Sequence, residues 1–566
     1  MEQVHSNAVM TRNLESMASR QHDLLIIGGG ITGVCIARDA ALRGLKVALV
    51  EKKDFSHGTS AASSKLIHGG LRYLAKGDIG LVRESLRERR IWENIAPHMV
   101  DPLPMIMPNY SKGFKGKLMM SVALSLYDWI AWDRNRVNDP DKKIPAHRTL
   151  NVSEAMEFEP LLQEEGMTAA NVYFDCQTFA PERIVFECLQ EAVSHDGMVA
   201  NYAEVTGFLR EGDEIKGVTV TDILANGDSS TFDIRATMTV NAAGPWAIDL
   251  LGLIEGHKPF AKLIGAKGIH LITRQLSSPH AIAMATRAGG HFFILPWRNH
   301  SIIGTTDTYF GGKNDEVGVS EKDIEDFLTV VNDEMPSLQL TRKDVIHFYA
   351  GIRPLVDSTP DDDSDNENTY DASRASEVMD HQEIDGLKGL LSALGGKWTT
   401  SRHVAETIVD KVVAINSFAA AQSTTEFKSL WGGDTGLFKP FVKAKQAQYR
   451  QLDEEMVAYM CQSYGSRVDE LMAYVESTPE LADSLSSSTP EIGAQIKRAV
   501  VEEMAVSLED AVFRRTGLGT LGHPGVSALA KAADIMGDEL GWSETQKSQQ
   551  IRRCEKLFET VSEATQ

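Results

Sequence analysis

Residues Leu24-Leu25-Ile26-Ile27-Gly28-Gly29-Gly30-Ile31-Thr32-Gly33, with Glu51 eighteen residues further on, carry the most specific chemistry of this 566-residue chain. The pattern joins an apolar strand, a glycine turn, a small-residue helix, a second apolar strand from Val47 to Val50 and an acid at its end. Each part answers a requirement of binding a dinucleotide. Gly28 permits the tight turn, Gly30 lets a pyrophosphate approach the backbone, and Gly33 lets the helix sit close on the sheet. The phosphates then meet the positive end of the helix dipole, and Glu51 accepts hydrogen bonds from the adenosine ribose.

The next segment decides which dinucleotide. From Thr59 to Leu74 the chain is rich in small, hydroxylated and glycine residues and carries the pair Arg72-Tyr73 near its end. A nicotinamide has no need of such a segment after the acidic strand, whereas a flavin needs extra donors along its ribityl chain and ring. FAD is therefore the expected cofactor, with Thr59, Ser60, Ser63, Ser64, Leu66, His68, Gly69 and Gly70 among its contacts. Two later turns extend the site. Asn241-Ala242-Ala243-Gly244-Pro245-Trp246 ends a strand and offers Gly244. Gly395-Gly396-Lys397-Trp398-Thr399-Thr400 joins a strand to a helix, so that Gly396, Lys397, Trp398 and Thr399 close over the flavin ring. Asp307 is a further expected FAD contact. His57 and His68 lie near enough to the flavin segment to be covalent attachment points, but a non-covalent site is expected.

Cationic and proton-handling residues recur in the same glycine-rich or strand-end settings: Arg72 and Tyr73, His270, Arg353 and Lys397. Three permanent cations aimed at one pocket suit a phosphate dianion or a carboxylate, arginine as a fork and lysine as a point charge. A flavin oxidises an alcohol by taking hydride at N5 while a base takes the hydroxyl proton. His270 is the expected base, because an imidazole titrates near neutral pH. Arg353 is placed to stabilise the developing alkoxide. No metal-ligand cluster stands out.

These residues need positioning elements. The length implies two or three domains, and 42% hydrophobic with 24% charged residues is a globular composition. The formal charge of −22 argues against nucleic acid as a partner. The five cysteines show no paired spacing, which fits a reducing compartment. The fold class expected is α/β: a two-dinucleotide-binding flavoprotein fold with an inserted β-rich substrate domain and a C-terminal helical domain. Residues 1–21 read as a loose extension. Residues 22–105, 170–260 and 350–425 read as a discontinuous FAD-binding domain, 106–169 and 261–349 as the substrate or cap domain, and 426–566 as the helical domain. A charged helix is expected from Ile79 to about Asn94, a hairpin turn at Asn226-Gly227, and an irregular acidic excursion from Asp357 to Asp385. Between Lys112 and Trp132, Leu118, Val122, Leu126 and Trp129-Ile130 recur at helical spacing behind Lys112, Lys115 and Lys117. Two readings fit: a helix lying in a bilayer interface, and a helix packed on its own domain. No apolar run reaches the ~20 residues of a spanning helix.

The motifs together, in order from about Asp23 to Arg402, resemble the FAD-dependent glycerol-3-phosphate dehydrogenase family. They comprise the glycine turn, Ser63 to Leu74, Asn241 to Trp246, Ile303-Gly304-Thr305-Thr306-Asp307, Gly351-Ile352-Arg353-Pro354-Leu355 and Gly395 to Thr400. Asp510-Ala511-Val512-Phe513-Arg514-Arg515-Thr516 resembles that family's cap segment. The resemblance implies oxidation of sn-glycerol 3-phosphate to dihydroxyacetone phosphate, with electrons passed to a membrane quinone. It implies that Arg72, Tyr73, Arg353 and Lys397 surround the substrate, with His270 near the reacting carbon. It also implies a cytoplasmic enzyme held peripherally on the inner face of the membrane, of bacterial type because no calcium-binding tail follows; the N-terminal extension is longer than that type's compact pattern. The oligomeric state is left open, a homodimer included. An oxidase passing electrons to oxygen shares these motifs. A neutral amine substrate would give no reason for three cations to converge, and a non-catalytic flavoprotein binding a partner through its C-terminal domain is the reading from another class.

Overall fold

The computed structural model describes residues 9–75, 77–110, 114–225, 230–256, 262–277, 279–357 and 376–562. Its frame is two sheets. In the first, the strands Gln21–Ile27, Val47–Val50, Met198–Ala200, Thr231–Asn241 and Leu390–Gly395 run parallel. The hairpin Ala203–Glu211 and Glu214–Asp222 and the strand Ser376–Asp380 add antiparallel edges. Parallel strands are covered on both faces, so they read as continuous apolar runs, and all four residues of Val47–Val50 are buried. Alternate residues divide between two cores. Leu24, Ile26, Val47 and Leu49 pack with Val34, Ile184 and Ile408 from the helices Ile31–Leu42, Pro181–Ser194 and Ser401–Asn416. Leu25, Ile27, Ala48 and Val50 pack with Val205 and Val218 of the hairpin and with Leu14 and Met17.

The second sheet is mixed and holds Val100–Asn109, Ala169–Thr178, Lys262–Arg274, Ala281–Ala285, His291–Trp297, His300–Gly304 and Val345–Asp357, with the short strands Leu66–Ile67, Arg148–Leu150 and Thr308–Tyr309. Helix Glu321–Glu334 covers one face through Ile324, Phe327 and Val331. Helices Ile79–Ile95 and Phe114–Ile130 cover the other through Val82, Leu86, Leu124, Tyr127 and Ile130. The chain crosses between sheets several times, so Val100–Asn109, Ala169–Thr178 and Val345–Asp357 lie in the second sheet although most of their residues fall in segments expected to belong with the nucleotide fold. Beyond residue 426 the chain is helical: Phe438–Gln448, Glu454–Tyr464, Val468–Ser477, Gly493–Val501, Val526–Leu540 and Glu544–Lys556.

Several expectations need amending. Residues 9–21 are not loose: Met10, Leu14 and Met17 are buried, and Arg12 pairs with Asp222. The acidic excursion contains the strand Ser376–Asp380 and the helix His381–Ile384: the strand pairs antiparallel beside Leu390–Gly395, with Val378 and Met379 packed into separate clusters; residues 358–375, like 1–8 and the Asn226-Gly227 turn, fall outside the described residues. The Phe114–Ile130 helix divides its apolar stripe. Leu124, Tyr127 and Ile130 face the core, while Val122 and Trp129 are exposed. The side chains of residues 111–119, including the expected basic start, fall outside the described residues.

A Cβ at Gly33 would lie 2.0 Å from the Gly28 carbonyl oxygen. The first turn of the helix therefore touches the loop expected to cradle a pyrophosphate. Gly33→Ala is expected to yield folded protein without bound dinucleotide, read as loss of flavin absorbance after purification. Gly80→Ala, in a helix and clear of neighbours, is the control and should stabilise slightly, by about 0.5–1 kcal/mol.

Candidate active site

The carboxyl ends of the parallel strands open onto a cleft of about 1390 Å³ whose far wall is the second sheet. That exceeds the roughly 300–1,000 Å³ of an ordinary small-molecule pocket and suits a cofactor and a substrate together. Of the residues expected to hold FAD, Gly28, Gly30, Glu51, Thr59, Ser60, Ser63 and Ser64 line it, as do Leu66, His68, Gly70, Gly244, Gly396, Lys397 and Trp398. His57 lines it as well.

The local bonding explains how the walls are set. The Glu51 carboxylate accepts hydrogen bonds from the backbone N–H of Gly29 at 2.7 Å and of Lys53 at 2.9 Å, so it braces the glycine turn besides facing the cleft. Ser60 Oγ accepts from the N–H of Ile31, 2.8 Å away at the helix N-terminus, where a pyrophosphate would be held. The Thr59 hydroxyl donates to the Ile352 carbonyl at 2.6 Å, tying this loop to the second sheet. The four other expected FAD contacts are not among the residues lining the cleft. Gly33 packs on Gly28. Gly69 donates its N–H to Asp175, and Thr399 Oγ1 accepts the N–H of His68. Asp307 lies 4.0 Å from Arg353. The indole N–H groups of Trp246 and Trp398 are buried without a hydrogen-bond partner, as is His270 Nδ1. All three residues line the cleft, and its polar contents are left to satisfy them.

The proton-handling and cationic residues line this cleft in two groups, His270 with Arg353 and Tyr73 with Arg72 and Lys397. His270 lies in the strand Lys262–Arg274, directly opposite Gly304 on one neighbour and Tyr349 on the other. A Cβ at Gly304 would sit 2.2 Å from the imidazole, so glycine makes room for the ring. Tyr349 stacks on it with centroids 4.8 Å apart and donates its hydroxyl to the Ser63 carbonyl at 2.9 Å. Ser64 Oγ is 2.8 Å from His270 Nε2. Burial, with Arg353 and then Lys65 nearby, pushes the imidazole down to about 3. Arg353 projects from the same face of its strand as Tyr349, and a Cβ at Gly268 would clash with its guanidinium. Its Nη2 donates to the Thr306 carbonyl. Lys397 Nζ lies 4.2 Å above the Tyr73 ring and donates to Ser85 Oγ at 2.7 Å, while the Arg72 guanidinium lies 5.0 Å from the same ring. Arg72, Tyr73, His270, Arg353 and Lys397, more than three hundred residues apart at the extremes, all line the cleft.

Tyr349 and Ser85 carry no motif in the sequence, and the motifs around Gly268 and Gly304 do not show that these glycines make room for Arg353 and His270. Tyr349 had a signal, the alternation that puts it on the face of Arg353; Ser85 had none.

The comparisons fit this geometry. A family model described as FAD dependent oxidoreductase matches residues 23–402, and one described as the C-terminal domain of alpha-glycerophosphate oxidase matches 423–547. A glycerol-3-phosphate dehydrogenase of Synechocystis sp. is 34% identical over 560 residues, covering 97% of this chain and 98% of that protein. The chain belongs to the FAD-dependent glycerol-3-phosphate dehydrogenase family. FAD is accordingly its cofactor. An aerobic glycerol-3-phosphate dehydrogenase of Staphylococcus aureus is 32% identical over 548 residues, with 94% and 93% covered. Among solved structures, a glycerol-3-phosphate dehydrogenase from Bacillus halodurans complexed with FAD matches with a TM-score of 0.76 at 28% identity over 96% of both chains.

The depressed imidazole gives a direct check on the site. A histidine whose folded value lies far below its unfolded one is neutral in the native state, so His270 in the resting holoenzyme should show no titration between about pH 5 and 8. NMR of histidine-labelled enzyme, assigned against His270→Gln, reads this. A ring titrating near its ordinary value would place it in an open, hydrated setting.

Proposed function

We propose that the chain oxidises sn-glycerol 3-phosphate to dihydroxyacetone phosphate and passes the electrons to a membrane quinone. The observation that carries this reading is that the buried imidazole of His270, with Arg353 near it, and the Arg72–Tyr73–Lys397 cluster line one cleft together with the dinucleotide-binding turns. Relatives of near full length are named for this substrate. FAD, when bound, supplies the acceptor for the hydride leaving the substrate carbon.

The chain's own residues do the rest. Lys397 and Arg72, steadied on Tyr73, hold the phosphate dianion as a point charge and a fork. Held there, the secondary alcohol presents its hydroxyl to His270, which takes the proton on a ring nitrogen. Ser64 at Nε2 and the stacked Tyr349 fix the plane of that ring. Arg353 offers positive charge where the oxygen becomes anionic. The dianion also offsets the field of Arg353 and Lys65 that depresses the imidazole, so binding substrate strengthens the base that acts on it.

The acceptor reading rests on the surface beside the cleft. Met105, Met107, Met120, Leu126 and Phe293 make an apolar flank to the cleft, and the exposed Val122 is on the same helix. On that helix and just beyond it, Trp129 and Trp132 are 74% and 60% exposed, the second beside the guanidiniums of Arg83 and Arg136. An exposed tryptophan pair with cations suits a bilayer interface, from which a quinone would reach the apolar flank. Among the described residues no helix is long and apolar enough to cross a membrane.

Anaerobic addition of sn-glycerol 3-phosphate should bleach the flavin, and glycerol should not; absence of bleaching overturns the reading. Lys397→Met should raise KM roughly 10- to 100-fold with less change in the limiting rate, since a charge-assisted contact contributes about 1.5–3 kcal/mol. His270→Gln should slow flavin reduction roughly 100-fold at saturating substrate. Trp129→Ser with Trp132→Ser should abolish binding to anionic vesicles and reduction of a long-chain quinone while bleaching by substrate persists. Peroxide formed in place of quinol by the wild-type enzyme would favour the oxidase.

A further inference from the structure

Among the described residues the C-terminal domain contributes no side chain to the cleft wall, yet two of its arginines reach beneath the nucleotide turn. Asp54 lies three residues past Glu51 and is fully buried. Arg514 Nε donates to its Oδ2 at 2.6 Å and Arg515 Nη2 to its Oδ1 at 2.8 Å, with Arg515 Nη1 also on Oδ2. Asn201 Nδ2 adds a fourth donor at 2.9 Å. Consecutive residues of an α-helix point about 100° apart and do not share a target. Here Arg514 and Arg515 close a π-helical turn, Asp510–Arg515, which aims both at one carboxylate.

The turn is itself fastened. Arg515 donates to the Glu503 carbonyl at 3.0 and 2.8 Å, and Arg514 to Glu509 at 2.8 Å and Asp510 at 2.6 Å. Glu509 in turn lies 3.6 Å from His57, which lines the cleft. From Asp54 the chain leads straight to the cofactor turn. Phe55 abuts Gly29, where a Cβ would meet its ring at 2.6 Å, and the N–H of Ser56 donates to the Gly29 carbonyl at 3.0 Å. Phe186 packs edge-on to Phe55 at 6.3 Å and has the Arg515 guanidinium 3.9 Å from its ring. Two routes thus run from Arg515 to the glycines, one through Asp54 and along the chain to Phe55, the other through Phe186 onto Phe55.

We propose that Asp54, held by Arg514 and Arg515, is a positioning residue through which the C-terminal domain sets the affinity of the nucleotide turn for FAD. The inference rests on the cleft being the FAD site. Because coupling is reciprocal, FAD must then steady the arginine turn as the turn steadies FAD. A merely structural Asp54 would lower the melting temperature and leave the affinity of the folded protein unchanged.

The test uses the full chain stripped of flavin and titrated with FAD, followed by flavin fluorescence and by amide hydrogen exchange. In the wild type, FAD should slow exchange in residues 28–33 and also in 503–517, although none of the latter lines the cleft. In Asp54→Asn the FAD dissociation constant should rise about tenfold or more, with protection kept at 28–33 and lost at 503–517. Arg515→Lys, which keeps the charge and loses the fork, should fall between. If Asp54→Asn fails to fold, Arg515→Lys and the wild-type exchange pattern decide. Wild-type FAD affinity in the variants, or unchanged exchange at 503–517 on binding FAD, overturns the proposal. Unchanged exchange at 28–33 as well would remove the cofactor site on which it rests.

Discussion

The cleft depends on how the chain is held between Glu51 and Tyr73, where it leaves the first sheet and crosses to the second. That stretch supplies the brace of the glycine turn, hydroxyls facing the cofactor groove, the serine against His270 and the cation–aromatic pair of the substrate end. It has little regular structure of its own: the two-residue strand Leu66–Ile67 and the start of a short helix at Leu71. Its path is instead set by buried charge. Lys65, in the left-handed region at φ +59°, donates to Glu182 and to the Ala61 carbonyl, both at 2.7 Å. Burial pushes the lysine down, with Glu182 opposing it. Removing either partner of such a pair leaves an uncompensated buried charge, a loss of about 3–5 kcal/mol. Asp54 anchors the start of the stretch in the same way.

The reaction chemistry follows from this anchoring. Loops tolerate movement, and a base or a phosphate ligand displaced by an ångström loses much of its effect. Placing Ser63 and Ser64 against Tyr349 and His270 joins the crossing chain to the central strands of the second sheet, whose register is continuous through His270. The imidazole is thereby fixed by its strand neighbours as well as by Ser64 of the crossing chain. Beneath Gly69, the buried Asp175 accepts on Oδ1 from its N–H, from Arg89 at 2.7 Å and from Tyr127 at 2.9 Å, so this part of the cleft is also fastened by a buried carboxylate.

Much of this was legible in the sequence because it is local. A glycine turn, its helix and the acid after the second strand occupy one short stretch, and continuous apolar runs such as Leu24–Ile27 and Val47–Val50 mark the parallel strands without reference to anything distant. The convergence of Arg72, His270, Arg353 and Lys397 was expected from their strand-end settings, and the structure does bring them to one cleft. What stayed hidden is long-range pairing. Ser85 and Lys397 are 312 positions apart, Lys65 and Glu182 are 117, and Asp54 and Arg514 are 460. No periodicity marks such partners, since each is an ordinary residue of its own helix or loop. The N-terminal segment misled for a related reason: polar by composition, it needs only Met10, Leu14 and Met17 to dock.

The central claim is that a phosphate ester and the flavin occupy one cleft, with the ester's anion on Lys397 and Arg72 and its reacting carbon beside His270. A crystal structure of the FAD-loaded enzyme with dihydroxyacetone phosphate tests this most directly. The phosphate is expected within hydrogen-bond reach of Lys397 Nζ and a guanidinium, and the carbonyl carbon between the imidazole and the flavin ring. A phosphate bound elsewhere, or basic side chains turned out of the cleft with product present, would contradict it.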